Sequence, residues 1–388
     1  MGLPNVGKST LFNAILGRQQ ALTAPYPFAT VEPNIGVVDV PDERLEKLRD
    51  SLFPIGNTQN FRILGKLGKP ESQKIRESES RRVGDPAIRP SDGLKLRRSE
   101  FSEFSEQPPL VFATITFVDI AGLVKGASAG HGLGNQFLSH IRDVDLILHV
   151  LRDFDPSTSS GQVIPRHQDS KNPEHDAEIV RTELELKDLE VLERKSNTGN
   201  TGSTGNTGKI PNGMDKKMLL AEKPVIYAVN VSEDKLATII NKGLALPRQG
   251  QAFPDENTFY FSAKLEEQIS QLPKNEQKEY LKIYGLENSC LDRIIGECFQ
   301  ALGLISFFTA GPKEVRAWPL RRGSTALRAS GVIHSDFEKL FIRAEVIGWE
   351  KLAEAGSWTT AKDHGWVRLE GKDYLVRDGE VCNFLIGK

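Results

Sequence analysis

The sequence predicts an α/β fold with a mostly parallel sheet, followed from about Leu304 by a smaller α+β domain. Three observations carry this prediction. Up to Leu304, short β-branched and aromatic runs alternate with helical patterns. At its start, a glycine-bracketed turn from Gly2 to Gly7 runs into Lys8, Ser9 and an apolar helical face. Beyond Leu304 the runs are strand-length and separated by tight turns.

Leu11, Phe12, Ile15 and Leu16 recur at helical spacing, so a helix should follow Lys8, with Gly17 able to end it. Val37 to Val40 is the next strand-like run. Val111 to Val118, ending on Asp119, is apolar almost without break and reads as one buried strand. Leu146 to Leu151, Val225 to Val229 and Phe259 to Phe261 read as further strands. Between them, 173–195 is rich in Glu, Leu, Lys and Arg. Ala177, Val180, Leu184 and Val191 share one face there, which predicts an amphipathic helix.

In the C-terminal part, Ser335-Asp336-Phe337-Glu338 is a capping-box sequence, with Ser335 as the cap and Glu338 reaching back. Phe341 to Ile347 reads as a strand. Trp366 to Leu369 and Tyr374 to Val376 flank a turn at Gly371, and Val381 to Ile386 reads as the last strand.

Two stretches differ in composition from the rest. Gly56 to Pro109 is polar and basic, with the near-repeat Ser99-Glu100-Phe101 and Ser102-Glu103-Phe104, and is expected to be a disordered insertion. Four triplets from Asn197 to Gly208 read as a flexible tether after the amphipathic helix. The expected organisation is therefore a first domain over 1–303, with insertions at 56–109 and 173–218, and a second over 304–388.

A chain of 388 residues has room for two or three such domains. The 50 basic and 52 acidic residues leave a formal charge of −2, so no global field draws the chain to nucleic acid or an anionic membrane. Any RNA contact must be a local patch. Cys290, Cys298 and Cys382 form no Cys-x-x-Cys pair and read as reduced thiols of a cytoplasmic protein. Runs such as Leu146-Ile147-Leu148 are too short to span a bilayer, and Val6 breaks the myristoylation pattern begun by Met1-Gly2. The seven histidines include no His-x-x-x-His pair, which argues against zinc; His149, inside a strand, reads as a hydrogen-bonded core residue.

Gly2-Leu3-Pro4-Asn5-Val6-Gly7-Lys8-Ser9 fits the Gly-x-x-x-x-Gly-Lys-Ser phosphate loop. The glycines let the backbone curl so that successive N–H groups face a polyphosphate, and the following helix adds its positive end. Asn5, Val6, Gly7, Lys8, Ser9 and Thr10 would line the phosphates. Lys8 would sit on the β and γ phosphates, the role that makes it a catalytic candidate, and Ser9 would bind magnesium through its hydroxyl. Asp119, at the end of an apolar strand, opens Asp-x-x-Gly; its carboxylate would hold magnesium through water while the Gly122 amide senses the γ-phosphate. Thr30 lies between helix and strand, where a switch residue could close over magnesium; the alternative is a turn threonine.

Taken together, these residues resemble the YchF-type Obg-like ATPases, among the translation-factor-related P-loop proteins. The matching blocks are Gly2 to Asn13, Pro27 to Asn34, Phe117 to Leu138, Lys223 to Glu233 and nearly everything from Phe307 to Ile386. The resemblance implies a nucleotide-binding G domain and a C-terminal ubiquitin-like β-grasp (TGS) domain associated with ribosome or RNA contact. There Arg316, Arg321, Arg322 and Arg328 could touch phosphates, and a solvated face explains them equally well. Where guanine-specific relatives use Asn-Lys-x-Asp, this chain has Asn230-Val231-Ser232-Glu233, a form that goes with ATP in the family, so ATP is expected over GTP. Ser262-Ala263-Lys264 looks like the loop that closes on the base.

Leu123 stands where many small GTPases keep a water-orienting Gln, so hydrolysis should be slow or depend on another group. The family has been linked to a histidine in a mobile loop after the fourth strand. His167 is the nearest candidate, one residue off the family spacing to Pro173; a solvated loop histidine is the alternative. The family also has a strand before the phosphate loop. Met1 stands where it should end, so the expectation is a truncated chain or a misplaced start codon.

Two other functions remain open at this stage. One is a P-loop kinase with Arg81, Arg82, Arg89, Arg97 and Arg98 as a phosphate-clamping lid, which leaves Asp119 and Asn230-x-x-Glu233 without a task. The other is a module that holds nucleotide without turnover. A hydrolase elbow is formally present at Gly126-Ala127-Ser128-Ala129-Gly130, but no strand runs directly into it.

Overall fold

The computed structural model describes residues 1–3, 5–17, 34–55, 107–120, 141–154, 172–198, 219–241 and 257–387. These fall into two compact units, Met1–Pro41 with Thr114–Leu304, and Asp42–Ala113 with Ile305–Lys388. The second begins close to the expected boundary after 303, and it also takes in a helix and a short strand from the part assigned by sequence to the first domain.

The first unit runs α1 (Lys8–Gly17), β1 (Asn34–Asp39), β3 (Thr114–Asp119), β4 (Ile147–Asp153), α3 (Pro173–Thr198), β5 (Val225–Val231), α4 (Glu233–Asn241), β6 (Thr258–Phe261), α5 (Ala263–Gln271), α6 (Lys274–Ile283) and α7 (Cys290–Ala301). β4, β5 and β6 form a parallel sheet in that order, while β1 and β3 pair antiparallel in a separate sheet. Met1 lies along β4: its amine donates to the Leu148 carbonyl at 2.7 Å and its carbonyl accepts from the Val150 amide at 2.8 Å. Continuous apolar runs are what strands covered on both faces require. Leu151, Val229 and Val231 accordingly pack with Leu236, Leu265, Ile269 and Leu281 from the flanking helices. Asp188 on α3 accepts from the Leu220 and Ala221 amides, both at 2.9 Å, and so fixes the chain entering β5.

The second unit holds α2 (Glu43–Leu52), β2 (Leu110–Val111), β7 (Leu304–Ala310), β8 (Val315–Arg321), α8 (Ala326–Ile333), α9 (Ser335–Lys339), β9 (Phe341–Gly348), α10 (Trp349–Ala355), α11 (Trp358–Asp363), β10 (Arg368–Glu370) and β11 (Glu380–Ile386). Its six strands form one sheet in the order β10-β9-β11-β7-β8-β2. Phe307 is the centre of its core, stacked on Trp318 at 6.5 Å and edge-on to Phe384 at 6.0 Å. α2 is held by Arg44, which bonds Asp42 next to it and Asp378 at 2.6 Å and lies 5.3 Å over the Phe308 ring. The Asp42 hydrogen bond foremost raises the Arg44 pKa, with Asp378 adding to it.

Several expectations are met: the helix after Lys8, the strands near Val37, Leu146, Val225, Phe259, Phe341 and Val381, and the long helix from Pro173. Others are corrected. The run from Val111 to Val118 is two strands, not one. β2 pairs with β8 and β3 pairs with β1, so the break at Phe112-Ala113 passes the chain from one unit to the other. Unbroken apolarity marks burial but not the sheet in which a residue is buried.

Ser335 does not cap α9. His334 does, its Nδ1 accepting from the Asp336 amide at 3.2 Å, and Glu338 turns instead to Arg328 at 3.5 Å. Tyr374 to Val376 is not a strand but touches Thr325 through a single bridge at Leu375. Of the insertion expected over 56–109, residues 56–106 lie outside the described residues; the tether expected from Asn197 to Gly208 begins inside α3, which includes Asn197 and Thr198, and its remainder lies outside them. Burial pushes the Cys298 thiol up to about 12 and the Cys382 thiol up likewise, in keeping with core-filling cysteines. Among the described residues no helix is long and apolar enough to cross a membrane.

Candidate functional site

The turn that opens the chain is shaped by three residues at positive φ: Gly2 at 152°, Asn5 at 60° and Gly7 at 95°. Two of them are also closed in by neighbours. A Cβ on Gly2 would stand 2.3 Å from the Val150 carbonyl oxygen, and one on Gly7 would stand 2.4 Å from Asn230 Nδ2. Only glycine fits either place. Leu11 then donates to the Gly7 carbonyl at 2.9 Å, which starts α1; Leu11, Ala14 and Ile15 anchor that helix in the core. Its first turn carries no acidic side chain, so the positive helix end beside the loop is not neutralised from within.

Lys8 reaches back across this loop and donates its ammonium to the Leu3 carbonyl at 2.8 Å. Desolvation lowers its pKa, and the charge of Asp119 opposes that shift. Lys8 and Asp119 therefore share one electrostatic neighbourhood, although they stand far apart in sequence. Asp119 ends β3, where it pairs in register with Asn34. Ser9 and Asp119 offer a hydroxyl and a carboxylate, the hard oxygen donors that magnesium takes alongside water and phosphate. The donor set fits that ion.

His149 is buried on β4, tilted against Tyr227 at 5.7 Å, with no hydrogen-bond partner at Nε2. It is a core residue, as its sequence position suggests, but this nitrogen does not have the bond expected of it. Burial first, then the Met1 amine and Lys8, push its pKa down to about 3, so the ring is neutral.

At the carboxyl end of β5, Asn230 joins three segments. Its Nδ2 donates to the Val6 carbonyl at 3.1 Å and its Oδ1 accepts from the Ala263 amide at 2.9 Å, both within buried surroundings. The phosphate loop, the end of β5 and the start of α5 are thus held by one amide side chain. Val231 is buried beside it, and Ser262 caps α5 by accepting from the Leu265 amide at 3.4 Å. Glu233, the first residue of α4, forms an ion pair with Lys264 at 3.1 Å.

The structure therefore brings Asn5, Val6, Gly7, Lys8, Ser9 and Thr10 together with Asp119 at one end and with Asn230, Ser262 and Ala263 at the other. Thr30, Gly122 and His167 lie outside the described residues, as do Leu123 and the proposed arginine lid. Sequence reading missed the two hydrogen bonds that tie Asn230 to Val6 and Ala263, and the Glu233–Lys264 pair. Opposite charges in two adjoining motifs were the available signal for the pair, but spacing alone does not say that they meet. In the second unit, Arg316 lies 4.0 Å over Trp318, Arg328 pairs with Glu338, and Arg321 and Arg322 are exposed.

With this geometry in hand, the chain can be set beside known proteins. Residues 1–189 match a family described as 50S ribosome-binding GTPase, and residues 304–387 match the YchF-GTPase C-terminal family, described as Protein of unknown function (DUF933). The chain is similar to the Ribosome-binding ATPase YchF of Bacillus subtilis, at 35% identity over 99% of this chain and 97% of that one. To the protein of the same name from Mycoplasma genitalium it is 37% identical, with the same coverage. Among solved structures it resembles the Schizosaccharomyces pombe YchF GTPase, with TM-score 0.67, 29% identity, and 99% and 96% of the two chains covered.

Proposed function

The chain belongs to the YchF family, and from that premise we propose that it is a magnesium-dependent nucleoside triphosphate hydrolase that prefers ATP to GTP and works on the ribosome or on RNA. The observation that carries the nucleotide reading is the closed loop from Gly2 to Lys8. Its glycines are pressed against β4 and Asn230, and its lysine is held inward on the Leu3 carbonyl. A polyphosphate entering that loop would take Lys8 from Leu3, exchanging a neutral acceptor for an anionic one.

Ser9 and Asp119 would hold magnesium, which supplies charge neutralisation across the β and γ phosphates. Thr30 and Gly122 are assigned with them from sequence, as the switch residue and the γ-phosphate sensor. Val231, Ser262 and Ala263 would line the base, next to Glu233, and Asn230 would hold their loops in place. His167 is proposed as the group that orients water, since Leu123 has no polar atom for that task and turnover should accordingly be slow. The unit ending at Lys388 is proposed as the ribosome- or RNA-facing TGS domain of a cytoplasmic protein. Its support is the match over 304–387 and the exposed Arg321 and Arg322.

The test is calorimetric titration of wild type and Lys8→Ala with Mg-ATP and Mg-GTP, coupled to phosphate release with and without ribosomes. Wild type should bind ATP more tightly than GTP, and Lys8→Ala should weaken both by about 10- to 100-fold, the worth of a charged hydrogen-bonding group. Unchanged uptake by Lys8→Ala would refute the site. Because Leu123 replaces the usual glutamine, a second reading stands beside this one: ATP uptake with no phosphate released under any condition would make the chain a binding module.

A further inference from the structure

We infer that a cavity in the first unit, between α3 and the face of the β4–β5 sheet, binds a small neutral aromatic molecule that carries one hydroxyl group. The inference is independent of the nucleotide reading above. Ile147 and His149 on β4 stand in register with Val225 and Tyr227 on β5. Alternate residues of a strand share a face, so these four form one wall of the cavity. Val180 and Leu184 of α3, both buried, form the opposite wall. The enclosed space is about 220 Å³. An apolar cavity of about 150 Å³ is enough to hold benzene, so one ring with a substituent fits here.

His149 supplies the polar point of recognition. It is 3% exposed, and its Nε2 has no hydrogen-bond partner. A buried polar atom left in that state carries a penalty that an occupant with a matching group relieves. Burial keeps the ring neutral, so Nε2 bears either the proton or the lone pair of the imidazole. A hydroxyl answers both cases, because it donates and accepts. A charged occupant would lose its hydration against Ile147, Val180 and Leu184, and Arg181, the exposed residue of the lining, already bonds Glu185 at 2.9 Å. Water finds few polar partners on these walls, so an aromatic ring displaces it at little cost.

Phenol and toluene, which exchange a hydroxyl for a methyl on the same ring, are the probes. Each is titrated by calorimetry into the full chain as wild type, His149→Leu and Val180→Phe, with circular dichroism confirming the fold. Wild type should take up both. The ratio of phenol to toluene affinity should fall about five- to fiftyfold in His149→Leu, the range set by one buried polar atom gaining or lacking its partner. Val180→Phe, which fills the space, should lose both ligands. In wild type, magnetic resonance of nitrogen-labelled histidine should show the Nε2 signal of His149 moving on addition of phenol and far less with toluene, a readout that needs no variant to fold. Absence of phenol uptake by wild type would overturn the inference. So would an unchanged phenol-to-toluene ratio in His149→Leu, uptake that survives in a folded Val180→Phe, or an Nε2 signal indifferent to phenol.

Discussion

Left-handed glycines in the open turns of the second unit and in the phosphate loop of the first have different surroundings. In the second unit, Gly323 and Gly365 have positive φ in open turns, where an added Cβ would meet nothing within 4 Å. In the first, Gly2 and Gly7 have positive φ and are packed against a carbonyl oxygen and an amide nitrogen closer than any Cβ tolerates. An unusual backbone angle in an open turn makes a connection, whereas one forced against buried polar groups shapes a site. Two individual buried polar groups show a contrast of their own. Glu380 in the second unit is buried and satisfied by Arg368, Tyr374 and the Arg377 amide, while His149 in the first is buried with Nε2 unpartnered. The core around Phe307 in the second unit and the phosphate loop in the first are thus built from separate sets of residues.

The strongest test of that division is Phe307→Ala. Phe307 is fully buried between Trp318 and Phe384, and removing its ring should cost about 3–5 kcal/mol. The loss should appear as earlier unfolding reported by tryptophan fluorescence, since Trp318 stacks on the missing ring. Nucleotide affinity should stay within about twofold, because changes at sites without shared partners act independently. Equal loss of affinity and stability would mean that the two units are energetically one.

Asn230→Ala makes the complementary cut. It leaves the Val6 carbonyl and the Ala263 amide without their partner in buried surroundings, at a cost of about 1–3 kcal/mol. Here stability and nucleotide affinity should fall together, because the same amide holds both the phosphate loop and the base loop. A variant that loses stability but binds ATP as before would show that Asn230 is only structural.

Much of this contrast was legible in the sequence. Gly2, Gly7, Lys8 and Ser9 announce their loop because phosphate binding demands residue types that no packing rule would choose. The parallel strands were legible for a related reason: burial on both faces leaves a continuous apolar run, as in Val225 to Val229. What stayed hidden was decided by residues distant along the chain. The run from Val111 to Val118 reads as one strand because periodicity reports burial and not the partner, and its break depends on β8 and β1. α2 joins the second unit through Arg44 and Asp378, a pairing across hundreds of residues that local composition does not signal. Likewise the motif points Asn230 at the base, and nothing in its spacing signals that the same amide also bonds Val6 and Ala263.

The smallest expected effect concerns His149, whose buried Nε2 has no hydrogen-bond partner. Its pKa lies at about 3 in the folded chain, below the usual 6.5, chiefly because the ring is desolvated. The unfolded chain therefore binds the proton more readily, so folding stability contributed by the neutral ring is complete above pH 6.5 and is lost as pH falls toward 3. Between pH 6.5 and 5.5, before most carboxylates titrate, this amounts to about 1 kcal/mol. His149→Phe isolates this contribution. The stability difference between wild type and this variant should shift by about 1 kcal/mol across that interval in urea titrations, in favour of the variant at the lower pH. A difference that does not move with pH would mean that the imidazole finds a proton partner in the folded chain, and the contrast with the satisfied carboxylate of Glu380 would no longer hold.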